Sequence, residues 1–306
     1  GGRTARLRDT RGDFNEESIF VKTTLSKSQY VKGLQCPKAL WFYRNRKDLA
    51  PEISPATQAL FDLGDEIGEL AQKYFEDGVE VTNKFWDVKG AVSSTEKFIA
   101  DGYDNIYEAT AIHPGDGSFS RIDILHKASE TEWDLIEVKS STQVKKYHLD
   151  DLSLQYHAFS GAGYNIRRCK MMVINNQYKR DGKIDINQLF KLEDITEKVL
   201  KRQNDVEKSI SKLVHTISDA TEPLEDIGAR CFKPFECDYK EHCWKDVPDY
   251  SVFNIYEKKK AESIARSIDS FDIQDVPSEM LPTGEKLIDV NSYLNGELHI
   301  VKPKII

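Results

Sequence analysis

The chain has 306 residues, room for two ordinary domains or one large domain with additions, and for a core that needs no covalent staples. Its 43 basic and 51 acidic residues leave a formal net charge of −8, which argues against a histone-like protein or a polybasic membrane binder but leaves room for a local basic groove. Five cysteines are too few for a disulfide scaffold, and no apolar run approaches the ~18 residues that a membrane span needs.

The opening segment, 1–22, carries Arg3, Arg6, Arg8 and Arg11 without an apolar stretch. It is not a secretory signal, and it reads as an appended segment or a mobile tail; cytoplasm is the default compartment. Ser26 to Arg46 is expected to be helical, with Leu34, Leu40 and Trp41 for an apolar face. Pro55 opens a second helix, Ala56 to Phe75, with Leu60, Leu63, Ile67, Leu70 and Ala71 at helical spacing and Gly78 as its stop. Strand patterns follow at Val79–Val88, Asn105–Ile112, Phe119–His126 and Glu132–Val138, with a helix near Ser94–Ala100. His148–Ala162 reads as a helix closed by Gly161 or Gly163, Cys169–Ile174 as a short apolar strand, and Glu193–Ile217 as a long amphipathic helix. A compact segment rich in Cys, Pro and aromatics, Arg230–Trp244, comes next; the last sixty residues carry weak helix and strand signals and no motif. This order of elements implies an α/β sandwich with a mixed sheet.

The sharpest local feature is Asp123 with Glu137 and Lys139, in Arg121-Ile-Asp-Ile-Leu125 and Leu135-Ile-Glu-Val-Lys139. Residues two apart on a strand share a face, so Glu137 and Lys139 point the same way. A hairpin centred near Glu130 sets Asp123 opposite Glu137. Two carboxylates then reach one hard divalent ion, and a nearby lysine offsets charge developing on a phosphate. Glu108 could add a third carboxylate from the neighbouring strand. The same spacing also suits the solvent face of a strand. The flanking Ile122, Ile124, Ile136 and Val138 argue for central strands, where such groups need partners. Gln155 lies in the following helix pattern, where a polar position is ordinary.

Cys231, Cys237 and Cys243 form C-x5-C-x5-C, and Cys36 lies far upstream in Gly33-Leu-Gln-Cys-Pro-Lys-Ala-Leu-Trp41. Four thiolates suit Zn²⁺ or an iron–sulfur cluster. Cys169, beside Met171 and Met172, reads as a buried strand residue, and the histidines show no metal spacing apart from His242 as an alternative ligand beside Cys243.

Together these pieces resemble the iron–sulfur-containing, RecB-like branch of the PD-(D/E)XK nuclease superfamily, which includes the CRISPR adaptation and AddB-type nucleases. The string Leu25-Ser-Lys-Ser-Gln-Tyr-Val-Lys-Gly-Leu-Gln-Cys-Pro-Lys-Ala-Leu-Trp41 is especially similar to an uncharacterised bacterial family of that architecture. The resemblance spans about 23–245 and leaves 246–306 as an extension or a linker toward a further, exonuclease-like domain. It implies a restriction-endonuclease-like mixed sheet flanked by helices, with N-terminal helices and a C-terminal segment clasped by a four-cysteine cluster. It further implies Mg²⁺ or Mn²⁺ on Glu108, Asp123 and Glu137, Lys139 orienting or activating water, Gln155 in the helix motif that contacts DNA or the lysine region, and a [4Fe–4S] cluster on Cys36, Cys231, Cys237 and Cys243. This chain departs from the pattern at the first-helix histidine, which should fall within Gly64–Glu69, where only Glu66 or Glu69 could replace it. Phe159 stands where the helix motif ends in Tyr, and the cysteine spacing differs from the commoner C-x2-C-x5-C.

The function implied is a metal-dependent deoxyribonuclease, an exonuclease on DNA ends or single strands. The alternatives are a catalytically weak or inactive iron–sulfur nucleic-acid module, or a structural zinc protein. Trp41, Tyr43, Trp86 and Tyr156 are candidate base-stacking residues. Lys32, Lys38, Arg44, Arg46, Lys47, Lys139, Lys145 and Lys146 supply positive charge around the expected groove.

Overall fold

The computed structural model of the chain describes residues 24–50 and 52–296. The expected tail, 1–22, lies outside the described residues. Two compact units result: one from Pro55–Ala220 with the segment ending at Val31, the other from Lys32–Ser54 with the segment beginning at Thr221.

In chain order the elements begin with β1 (Leu25–Ser26), α1 (Lys27–Gln35), α2 (Pro37–Asn45), α3 (Pro55–Gln72), β2 (Val79–Glu80) and α4 (Val88–Ala100). The strands β3 (Asn105–Ile112), β4 (Ser118–Lys127) and β5 (Trp133–Lys139) follow, then α5 (Lys146–Gly161) and β6 (Ile166–Ile174). After these come α6 (Ile186–Leu189), β7 (Phe190–Asp194), α7 (Thr196–Leu200) and α8 (Gln203–Ser218). The second unit adds α9 (Lys240–Cys243), α10 (Val252–Ile255), α11 (Lys258–Ile268) and α12 (Glu285–Asn295).

The first unit is built on a seven-stranded mixed sheet flanked by helices, in the order β2-β3-β4-β5-β6-β7 with β1 beside β4. β3, β4 and β5 form an antiparallel meander. The crossover through α5 makes β6 parallel to β5, and β7 returns antiparallel. One face packs Ile106, Ala109, Ile122, Leu125, Leu135 and Met171 against Leu152 and Phe159 of α5 and Ala91 of α4. The other packs Tyr107, Ile124, Ile136 and Met172 against Ala71, Ile67 and Leu70 of α3. α5 buries positions all round its circumference, including Asp151, Leu152, Gln155 and Phe159, so it reads as an interior helix and not an amphipathic one.

Several expected elements change. The helix over Ser26–Arg46 is two helices, because Pro37 excludes helical backbone at Cys36, which sits extended at φ −157° and ψ 113°. The strand over Val79–Val88 stops at Glu80. α4 starts at Val88, earlier than Ser94, because the Asp87 carboxylate caps it by accepting the Gly90 N–H. β6 begins at Ile166, three residues before the apolar run, since Arg167 and Lys170 find their counter-charge in buried Asp134. The long helix expected over Glu193–Ile217 is a strand and two helices. Phe-Lys-Leu-Glu-Asp alternates with period two and pairs with β6 as β7.

Candidate active site

The β4–β5 pairing centres on Glu130, with Ile124 opposite Ile136 as the last paired residues before the sheet opens. Continued one step, that register faces Asp123 with Glu137. There the ladder gives way: the Val138 N–H donates to Asp123 Oδ2 at 2.6 Å. Alternation fails on β3 and β4 at the same level. Ile106 and Ala109 lie under α5 while Tyr107 faces α3, and Ile122 and Leu125 lie under α5 while Ile124 faces α3. The irregular residues between them are Glu108 and Asp123. Glu108 holds φ at +56°, a left-handed conformation that costs a non-glycine residue of order 1–3 kcal/mol. The ladder skips one residue on each strand at this level, Glu108 and Asp123, with the pairing register unchanged on either side.

Glu137, 1% exposed, is the hub. Its Oε1 accepts from Lys139 Nζ at 2.5 Å and Lys27 Nζ at 2.9 Å, and its Oε2 from Gln155 Nε2 at 2.7 Å. Lys139 also reaches Asp151 Oδ2 at 2.9 Å. Glu108 stands on the next strand, 4.0 Å from Arg121 Nε. Burial pushes the Glu137 carboxyl up, but Lys139, Lys27 and their hydrogen bonds outweigh it and hold it well below the usual range. Burial alone opposes charge on Lys139 as well; Glu137, Asp151 and Asp123 more than compensate, and the ammonium stays protonated. The remaining carboxylates are less well served. Burial, with the charge of Glu137, lifts Asp123 to about 7. Burial also raises Glu108 and Asp151. Four carboxylates therefore face the ammonium groups of Lys27 and Lys139 and the guanidinium of Arg121, which leaves the site one positive charge short.

Gln155 adds a second sign of an unfinished site. It is fully buried, and its Oε1 has no hydrogen-bond partner among the described residues. An all-oxygen donor set, a deficit of positive charge and an orphaned buried oxygen fit a hard, hydrated divalent ion. As the side chains stand, the oxygens of Glu108, Asp123 and Glu137 are not all at single-ion spacing. The only His, Cys, Asp and Glu group among the described residues whose ligand atoms all lie within 4.8 Å of one another is His113, Asp116 and His157. The histidines thus have a cluster that their sequence spacing does not show. Its two rings are stacked, 4.3 Å between centroids and 6° between planes, so their in-plane lone pairs do not converge on one ion. His113 Nδ1 accepts the Gly115 N–H at 3.1 Å, and His157 Nε2 meets Asp116 Oδ2 at 2.7 Å, which ties the β3–β4 turn to α5.

Cys36, Cys231, Cys237 and Cys243 all belong to the second unit and line one small cavity with Lys38, Phe42 and Tyr239. Their sulfurs do not form a single-ion cluster among the described residues, whereas four thiolates on one zinc stand ~3.8 Å apart. Burial, and for Cys237 the neighbouring Cys36 and Cys231, raises the Cys36, Cys237 and Cys243 thiols, that of Cys237 to about 11.

Sequence reasoning places Asp123, Glu137, Lys139 and Gln155 in what is one network, with Glu108 beside it. It misses Lys27 and Asp151. Asp151 had a signal, since it precedes Gln155 by one helical turn. Lys27 had none, because only the pairing of β1 with β4 carries it to Glu137. Glu66 and Glu69 are exposed on α3. Trp41 is core, packed with Phe42 and Tyr239. Of the expected basic groove, only Lys139, Lys145 and Lys146 belong to the sheet unit; Lys32, Lys38, Arg44, Arg46 and Lys47 belong to the other.

No family model and no curated protein matches the chain. Among solved structures, the alkaline exonuclease LHK-Exo in complex with dAMP matches at 13% identity and a TM-score of 0.36, over 66% of this chain and 92% of that one. Another structure of LHK-Exo, from Laribacter hongkongensis, matches at 10% identity and a TM-score of 0.30 over the same shares. The protein SSO0001 matches at 12% identity and a TM-score of 0.36, over 76% of this chain and 97% of that one. At these scores the likeness carries no statement about activity.

Proposed function

We propose that this chain is a divalent-cation-dependent deoxyribonuclease of the PD-(D/E)XK class, hydrolysing phosphodiester bonds at DNA ends or in single strands. The observation that carries the reading is the break in the sheet at Asp123 and Glu137. There the β3–β4 ladder skips Glu108 and Asp123, and Lys139 and Gln155 both hydrogen-bond to the Glu137 carboxylate. Glu108, Asp123 and Glu137 would hold Mg²⁺ or Mn²⁺, which when bound supplies an acidified water and neutralises phosphate charge. Lys139, protonated and hydrogen-bonded to Glu137 and Asp151, suits charge stabilisation at the phosphate and not proton abstraction. Lys27 shares that charge. Gln155 orients Glu137 through Nε2 and leaves Oε1 to accept from water or substrate. The observation favouring a catalytically weak nucleic-acid module is that the Lys27 ammonium occupies the Glu137 oxygen a cation needs.

We propose further that Cys36, Cys231, Cys237 and Cys243 hold a [4Fe–4S] cluster. Four thiols lining one cavity supply the donor set such a cluster needs. Anaerobically purified protein should absorb broadly near 400 nm and contain iron and sulfide; a colourless protein with one zinc per chain sinks this part.

The test is cleavage of end-labelled single- and double-stranded DNA with Mg²⁺ or Mn²⁺, comparing wild type, Lys139→Ala and an EDTA control. Cation-dependent products that fall by about 10²-fold or more in the variant support the nuclease. Equal activity in both proteins, or none in either, removes it.

A further inference from the structure

Two large aromatic side chains of the sheet unit are left in water. Phe85 and Trp86 are 80% and 68% exposed. Their rings meet edge to face, with centroids 4.8 Å apart and planes at 84°. They form the tip of the turn between β2 and α4, and that turn is braced from within. The Asp87 N–H donates to the Lys84 carbonyl at 2.9 Å. The Asp87 carboxylate accepts from the Gly90 N–H at 3.0 Å and from Asn83 Nδ2 at 2.7 Å. The Ser94 hydroxyl donates to Asn83 Oδ1 at 2.8 Å. A turn held this way does not fold its tip inward, so the apolar rings are presented and not merely loose.

The turn is also wired to the candidate active site. Arg121 of β4 donates from Nη2 to the Asn83 carbonyl at 3.1 Å, and its Nε lies 4.0 Å from the Glu108 carboxylate. The Val81 N–H donates to the carbonyl of Tyr107, the residue before Glu108, at 3.0 Å. Lys84 precedes the rings and Lys89 follows them in sequence; both are exposed, as are Glu80 and Asp87. Of the charged groups in the turn, the Asp87 carboxylate is engaged by Gly90 and Asn83, and two exposed rings beside two lysines match a polyanion that carries flat, unpaired bases.

We infer that Phe85 and Trp86 are a stacking platform for unpaired bases of single-stranded DNA, set beside the Glu108 end of the site. The inference rests on the nuclease reading for what the strand is delivered to, and not for the binding itself. Stacking needs bases, whereas attraction to Lys84, Lys89 and Arg121 needs only phosphates, so the two contributions separate by experiment.

Fluorescence anisotropy in EDTA, where no cleavage occurs, would compare a labelled oligothymidylate about 16 nucleotides long with an abasic oligomer of equal length and charge. Wild type should bind the thymidylate at least about tenfold more tightly. Phe85→Ala/Trp86→Ala should lose that preference while its affinity for the abasic oligomer holds, and Trp86→Phe should keep most of it. A wild type that does not discriminate, or a double variant that still does, overturns the platform even if the protein cuts DNA. A protein that shows the preference and cuts nothing supports the platform and removes the nuclease reading.

Discussion

At the residue scale the site turns on one buried carboxylate with three donors. Removing the Glu137 charge leaves two ammonium groups without their shared partner. Breaking a buried pair costs about 3–5 kcal/mol, and partial exposure of Lys27 and Lys139 puts the expected loss for Glu137→Gln near the lower end, read from the urea midpoint. Asp123 should behave in the opposite way. Its carboxyl is lifted from an ordinary 3.8 to about 7, chiefly by burial and then by Glu137. A folded-state value above the unfolded one means that ionisation costs folding free energy. That cost is absent below the ordinary carboxylate value and complete above about 7. Asp123→Asn keeps an oxygen for the Val138 N–H and removes the charge. In metal-free buffer at pH 8 its Tm should exceed that of wild type by about 3 °C or more, and the gap should narrow at pH 5. A lower Tm at pH 8 contradicts this account. Both variants should lose cation-dependent cleavage, so stability and activity move apart at Asp123.

At the element scale, two helical glycines give contrasting expectations. A Cβ on Gly161 of α5 would lie 1.8 Å from Cδ2 of the His113 ring, which is itself stacked on His157. Gly161→Ala must displace that ring and loosen the β3–β4 turn, at a cost of about 1–3 kcal/mol in urea unfolding. A Cβ on Gly64 of α3 meets nothing within 4 Å. Gly64→Ala should therefore stabilise by about 0.5–1 kcal/mol through helix propensity alone. An equal effect of the two changes would show that the close approach of Gly161 to His113 is unimportant. The apolar stripe of α3 makes the related point about faces. Ile67 and Leu70 pack on the sheet while Leu60 and Leu63 are exposed, so helical periodicity identifies a face without saying how much of it is covered.

At the scale of the whole molecule, the chain divides so that the candidate active site and the four cysteines fall in different compact units. On the proposal that the four cysteines hold a cluster, Cys36→Ala should abolish absorbance near 400 nm and lower hydrogen-exchange protection in Lys32–Ser54 and beyond Thr221. Protection in β3–β6 should remain. Loss of protection across the whole sheet would show that the cysteines support the sheet as well. Much of this arrangement was legible in the sequence. Composition and periodicity determined a mixed α/β chain. Alternation located β3, β4 and β5 within one residue at each end, and the hairpin centre at Glu130 gave the register that pairs Ile124 with Ile136, one step short of Asp123 and Glu137, because strand register follows from local pattern and turn position. What the sequence could not supply came from contacts distant along the chain. Lys27 reaches Glu137 across 110 positions through the pairing of β1 with β4, and His113 meets His157 through the docking of α5. β7 was not expected, and its last two residues, Glu193 and Asp194, fell in the expected helix; pairing with β6 makes them strand. The break in pairing at Glu108 and Asp123 is likewise tertiary, since a left-handed glutamate on a central strand persists only where its surroundings hold it. Local chemistry chose the residues of the site; long-range packing decided which of them share one carboxylate.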